Sequence, residues 1–183
     1  MRLGHSCRRP LAHFAALPEI GQSALGQFRL HPATAGVDAG VGEPVADLIV
    51  RSSVLTAIDV TPAEVAAAID EIPVLCLAAV LAQGTTTIRG AGELRHKESD
   101  RIAGIAAGLR LLGADVAVEG DDLRIVGGRP LAGTTVDSLD DHRLAMTFAI
   151  AGLVAAGRTT VTRPGSAAIS YPGFFDDLGR VAS

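Results

Sequence analysis

Apolar side chains recur at Ile102, Ile105, Leu109 and Leu112, spacings of three and four that lay them along one face of a helix. Ser99 precedes that run as a capping residue and Gly113 follows it as a stop. Short β-branched runs after a glycine read instead as strands: Gly84 leads into TTTI and Gly157 into RTTV. These two places belong to a repeat. The segment Ile69 to Ile88 aligns without gaps on His142 to Val161, with Gly84 meeting Gly157 at an offset of 73, and Ala78, Ala82, Thr86 and Thr87 find identical partners. Upstream, DLIVRSSVLTAIDV from Asp47 pairs with DLRIVGGRPLAGTTV from Asp122 if one residue is inserted. Each unit reads strand, turn, strand, helix, glycine turn, β-branched strand, second helix and a further strand. The pattern predicts an α/β fold of repeated βαβαββ-type units, about two of them over residues 42–183.

Residues 1–41 follow neither period. Arg2, Arg8, Arg9 and Arg29 are balanced there only by Glu19 and Asp38, and the segment reads as an atypical, poorly ordered leader. His5, Cys7 and His13 lack the ligand count and spacing of a structural zinc site. The apolar stretch from Leu11 to Leu17 is short and broken by His13, unlike a secretory signal.

Composition narrows the classes. Apolar residues make up 48% of the chain but aromatics only 3%, so a core must be built from Ala, Val, Leu and Ile. A net charge of −4 and a pI near 5.7 give no electrostatic reason to expect nucleic acid as a partner. Mean hydropathy is +0.35, yet no apolar run approaches the roughly 18 residues that span a bilayer. Cys7 and Cys76 have no metal-like spacing; Cys76 falls in an apolar helix, where a buried, inert thiol in a reducing cytoplasm is expected.

The densest chemistry lies just ahead of the periodic helix, where Arg95, His96, Lys97, Glu98, Asp100 and Arg101 fall within seven positions. A helix start aims backbone N–H groups and a positive dipole end at the same place as Lys97 and Arg101, a good grip for a phosphate or carboxylate. A solvated, salt-bridged helix start explains the same residues. The repeat adds to this, because Asp70 falls on Arg143, Lys97 on Ser170 and Glu98 on Tyr171 at the 73-residue offset. Different charged or polar residues at equivalent helix starts point to one composite site at one end of the lobe. Taken singly, Asp70 and Asp141 are also adequate as N-caps.

Three motifs carry a family resemblance. Arg95-x-Lys97-Glu98-Ser99-Asp100-Arg101, Asp141-His142-Arg143-Leu144-Ala145-Met146 and Asp70-Glu71-Ile72-Pro73 resemble, in order and separation, the signatures of the 5-enolpyruvylshikimate-3-phosphate synthase (3-phosphoshikimate 1-carboxyvinyltransferase) family. The resemblance runs from about Gly42 to Ser183 and corresponds to the later part of a family member. It implies transfer of enolpyruvyl from phosphoenolpyruvate to the 5-hydroxyl of shikimate 3-phosphate, on the route to chorismate and the aromatic amino acids, without a metal or organic cofactor. It implies Glu98 as proton donor with Lys97 assisting, Asp70 as base facing the hydroxyl, and Arg101, Arg143 and His142 gripping phosphoenolpyruvate, while Asp70 and Lys97 also place substrate. Two departures stand out. Ile169 occupies a position where many members carry a lysine implicated in phosphoenolpyruvate binding, and the substrate ligands of the family's earlier lobe have no match here. An incomplete enolpyruvyl-transferase lobe with negligible turnover of its own is therefore expected, whether a truncated product or one member of a split pair with a complementary N-terminal lobe. The alternatives are a non-catalytic remnant or binding module of the same fold, and a UDP-N-acetylglucosamine carboxyvinyltransferase, against which the Lys97–Arg101 spelling argues.

Overall fold

The apolar face read from the sequence becomes the centre of the molecule: Ile102, Ile105, Leu109 and Leu112 are each at most 1% exposed. Burying side chains of that size contributes roughly 1.5–3 kcal/mol apiece. A computed structural model describes residues 29–32, 46–49 and 53–182. The elements are β1 (Arg29–Pro32), β2 (Ala46–Ile49), β3 (Asp59–Val60), α1 (Pro62–Ala67), α2 (Ile72–Leu81), β4 (Thr85–Ile88), α3 (Arg101–Leu111), β5 (Asp115–Glu119), β6 (Asp122–Val126), β7 (Thr135–Asp137), α4 (His142–Val154), β8 (Thr160–Thr162) and α5 (Phe174–Ala182). Single 3-10 segments, Gly92–His96 and Pro164–Ile169, precede α3 and α5.

The repeat is structural. In the first unit β3 runs parallel to β4, Asp59 opposite Thr87; in the second β7 runs parallel to β8, Thr135 opposite Thr160. A lone bridge precedes each pair, Thr56 to Gln83 and Ala132 to Ala156. Gly84 and Gly157 both have positive φ, +101° and +88°, because the chain must reverse between a helix and a strand packed beside it. β6 and β5 extend the first unit into a sheet of order β3-β4-β6-β5, with β4–β6 and β5–β6 antiparallel. β1 and β2 pair antiparallel, a ladder that joins the two sides of position 42. The rest of the expected leader, with His5, Cys7 and His13, lies outside the described residues.

Helices α2, α3 and α4 pack together through side chains of the expected types, Ile72, Cys76, Val80, Ile105, Leu109, Leu144 and Phe148 among them. Cys76 is fully buried, and that burial pushes its thiol up to about 12, so it is inert as read from the sequence. No helix among the described residues is long and apolar enough to cross a membrane.

Three local expectations are corrected. Ser99 does not cap α3; Asp100 does, its side chain accepting from Ala103 N–H at 2.9 Å, which frees Ser99 for another partner. Helix α1 has no counterpart in the expected element order, although Thr61-Pro62-Ala63-Glu64 carries its signal: Thr61 and Glu64 form a reciprocal capping box with proline in the first turn. The sequence alone offers both Phe174 and Phe175 as core residues; Phe174 is buried, but Phe175 is 43% exposed, because only one of two adjacent positions on α5 can face inward.

Candidate functional site

Arg101 opens α3, and its guanidinium is 1% exposed because three other elements converge on it. Nε donates to Asp141 Oδ2 at 2.8 Å, one terminal nitrogen to Asp70 Oδ1 at 3.0 Å and the other to Glu98 Oε2 at 2.6 Å. Asp70 comes from the loop entering α2, Glu98 from the segment before α3 and Asp141 from the start of α4. The hub therefore ties the helix starts of both repeats together. Arg143, the repeat partner of Asp70 at 73 residues, donates to Asp70 Oδ2 at 3.2 Å, so two equivalent positions meet as an ion pair. His142 Nδ1 lies 3.7 Å from Glu98 Oε1. Lys97 is exposed at the rim, close enough for its charge to act on Asp70.

The structure thus places Asp70, Glu98, Arg101, His142 and Arg143 in one connected network with Lys97 at its edge. Asp70 is not an N-cap: Glu71 occupies that position in α2 without any side-chain cap. Asp141 is a cap and more, since Oδ1 accepts from the N–H groups of Arg143 and Leu144 while Oδ2 takes Arg101 and the Ser99 hydroxyl at 3.0 Å. Asp141 and Ser99 were legible only as caps, because a capping aspartate and a network aspartate look alike in sequence. Tyr171 turns toward Asp177 and the Phe174 ring. Ile169 is 74% exposed at the end of its 3-10 segment.

Electrostatics follow from this wiring. Burial works against the charge on Asp141, but the hydrogen bond and charge of Arg101, with the Arg143 N–H and Ser99, outweigh it and hold the carboxyl below its ordinary 3.8. Asp70 is likewise held low: burial opposes, while Arg143, Arg101 and Lys97 prevail. A carboxyl whose folded value is depressed contributes stability that is present above its unfolded value and lost as pH falls through the folded one. Urea midpoints of the lobe are accordingly expected to hold steady above the ordinary carboxylate range and to fall progressively below 3.8, with a shallower fall in Asp70→Asn. A midpoint that rises on acidification contradicts this wiring.

Glu98, Asp141 and His142 bring donor atoms within 4.8 Å of one another, the composition of a metal site. The donor set does not fit one. Both oxygens of Asp141 are spent, and the Arg101 guanidinium bonded to Asp141 and Glu98 already supplies the cation. Buried His142 Nδ1 and Arg143 Nε have no hydrogen-bond partner among the described residues, and Lys97 stands at the rim. Glu98 is 48% exposed and Asp70 35%, so the cluster is an open charged wall.

Stacked βαβ-type repeats with facing helix starts that carry basic and acidic side chains define the lobe of an enolpyruvyl transferase. The solved enolpyruvyl transferase NikO from Streptomyces tendae shares the fold, at a TM-score of 0.61 and 24% identity over 92% of this chain and 34% of that one. The chain belongs to the EPSP synthase (3-phosphoshikimate 1-carboxyvinyltransferase) family, whose profile matches residues 23–178. The 3-phosphoshikimate 1-carboxyvinyltransferase of Synechocystis sp. is 54% identical over 141 residues, 77% of this chain and 32% of that protein. The enzyme of the same name from Geobacter sulfurreducens is 52% identical over 77% of this chain and 33% of its own length. A solved EPSP synthase from Acinetobacter baumannii superposes with a TM-score of 0.73 at 37% identity, covering 85% of this chain and 35% of that one. The chain thus spans about a third of the length of the curated relatives it matches.

Proposed function

We propose that this chain supplies one wall of a 3-phosphoshikimate 1-carboxyvinyltransferase site, acting on phosphoenolpyruvate and shikimate 3-phosphate together with a complementary N-terminal lobe, in aromatic amino-acid biosynthesis in the cytoplasm. The observation that carries this reading is the single network joining Asp70, Glu98, Arg101, His142 and Arg143. Adding the shikimate hydroxyl across the enol phosphate needs a proton at the terminal methylene carbon, a base at the hydroxyl and cations for the phosphate and carboxylate; the adduct then gives up a methyl proton and expels phosphate, which restores the enol. Glu98 is the proton donor, with Lys97 beside it, and Asp70 is the base. Arg143, with its unspent Nε, His142, with its unspent Nδ1, and Arg101 hold phosphoenolpyruvate. Arg101 has three of its five N–H groups committed to carboxylates, and a substrate carboxylate taking the place of Glu98 on it frees Glu98 to turn toward the methylene carbon.

An open wall leaves water in the site, which weakens both anion binding and stabilisation of the transition state. The purified chain is therefore expected to release negligible phosphate from the two substrates. With an N-terminal lobe from a relative such as the Synechocystis enzyme, turnover is expected to appear, and Glu98→Gln in the mixture to abolish it. If the two pieces associate but release no phosphate, the chain is a non-catalytic module. Consumption of UDP-N-acetylglucosamine in place of shikimate 3-phosphate would assign it to the related transferase.

A further inference from the structure

Three non-glycine residues among those described have left-handed backbone: Leu139 at φ 57°, Asp140 at 58° and Arg163 at 53°. L side chains disfavour that conformation, and strain of this kind persists only where the surroundings enforce it. All three meet at one place. Arg163 Nε donates to Asp137 Oδ1 at 2.8 Å, one terminal nitrogen donates to Asp137 Oδ2, and the other donates to Asp140 Oδ2 at 2.7 Å. The buried Ser138 hydroxyl donates to the Arg163 carbonyl at 3.0 Å, and Leu139 N–H to Asp137 Oδ1 at 3.0 Å. Asp141 N–H closes the turn onto the Ser138 carbonyl at 2.9 Å, leaving Leu139 and Asp140 as its two central residues. Positive φ at both central positions is the pattern of a type I′ turn, which ordinarily selects Asn-Gly or Gly-Gly.

The repeat isolates what the arginine adds. At the 73-residue offset Arg163 falls on Gly90, which has the same left-handed backbone at φ +66°. The backbone shape is thus common to both units, and glycine is the residue that adopts it most easily. In the second unit an arginine stands there, and its guanidinium clamps the turn that ends at Asp141.

We propose that Arg163 is a positioning residue for the Arg101 cluster, acting through the 138–141 turn to set where Asp141 meets Arg101 and where His142 and Arg143 begin α4. This rests on reading that cluster as the substrate-handling wall. Exposed ion pairs contribute little as a rule, but a bidentate guanidinium bridging two carboxylates restricts their geometry as a single charge does not. The Arg163 hydrogen bonds, with the Leu139 N–H, hold the Asp137 carboxyl down at about 2, so the clamp stays charged throughout the physiological range.

Amide hydrogen exchange on the full chain tests this without requiring activity. Arg143 and Leu144 N–H report on the Asp141 cap, and amides of β6 report on global opening. In Arg163→Gly, where the backbone is relaxed and the clamp is gone, exchange at Arg143 and Leu144 is expected to rise roughly tenfold relative to β6, the scale of a lost helix cap. Arg163→Lys keeps the charge but cannot bridge both carboxylates, and should show the same differential to a smaller degree. It also serves as the reading if the glycine variant does not fold. Unchanged exchange at Arg143 and Leu144, or an equal rise throughout the chain, overturns the proposal. A differential rise seen while phosphate release stays absent even with the complementary lobe would leave the positioning role standing and remove the substrate reading instead.

Discussion

Arg101→Met is expected to lower the unfolding free energy of the lobe by about 3–5 kcal/mol, the scale for removing one partner of a buried ion pair. The reason is what it leaves behind. Asp141 is 0% exposed, and its Oδ2 would keep only the Ser99 hydroxyl. Asp70 and Glu98 are exposed enough to recover water, so most of the loss falls on Asp141. Against a total stability of ~5–15 kcal/mol for a domain, such a loss shifts the urea midpoint severely. Arg101→Lys does not rescue it, because one ammonium cannot reach three carboxylates that come from three directions. In Arg101→Met with Asp141→Asn the orphaned charge is gone, so the pair should be more stable than Arg101→Met alone. A single-variant loss below about 1 kcal/mol, the range of an exposed pair, would mean that the hub is not closed as described.

The second large effect concerns Gly108. In an exposed helix interior Gly→Ala stabilises by about 0.5–1 kcal/mol. At Gly108 the sign reverses, because an added Cβ would lie 2.1 Å from Phe148 Cζ and 2.4 Å from Cε1. Phe148 is itself 0% exposed, so its ring must shift against a packed interior or α3 and α4 must separate. Gly108→Ala is expected to cost about 1–3 kcal/mol as overpacking. Phe148→Leu removes the ring atoms in question, so in the double variant the alanine should cost less than it does alone. Additive losses in that cycle would show that the two helices do not touch at this point.

Both effects turn on contacts that unequal parts of the sequence reveal. The apolar face of α3 was legible because burial and helical period make a one-dimensional signal, and the repeat was legible because equivalent folds keep equivalent turns, as at Gly84 and Gly157. The strand pairs β3–β4 and β7–β8 follow from the same register. Helix α1 is hard to read although its capping box is written in four residues, since a six-residue helix leaves almost no periodicity to detect. Ser99 has two roles open to it in sequence: a hydroxyl beside a helix start caps it unless a neighbour does so first, and Asp100 does.

What the sequence by itself determined is the α/β repeat, the membership of its motifs in one family, and the acidic and basic residue types that gather at its helix starts. Those depend on local periodicity and on side-chain chemistry, both of which are carried by the order of residues. Only the tertiary structure decided that Arg101 lies inward under three carboxylates, that Asp70 meets its own repeat partner Arg143, and that Arg163 clamps the turn before Asp141. Apart from Arg101–Glu98, three residues apart, these contacts join residues 23 to 73 positions apart, through guanidinium donors that have several acidic candidates within the chain. The choice among those acids is made by how the helices of the two units stack, because charge attracts without direction and packing supplies the direction.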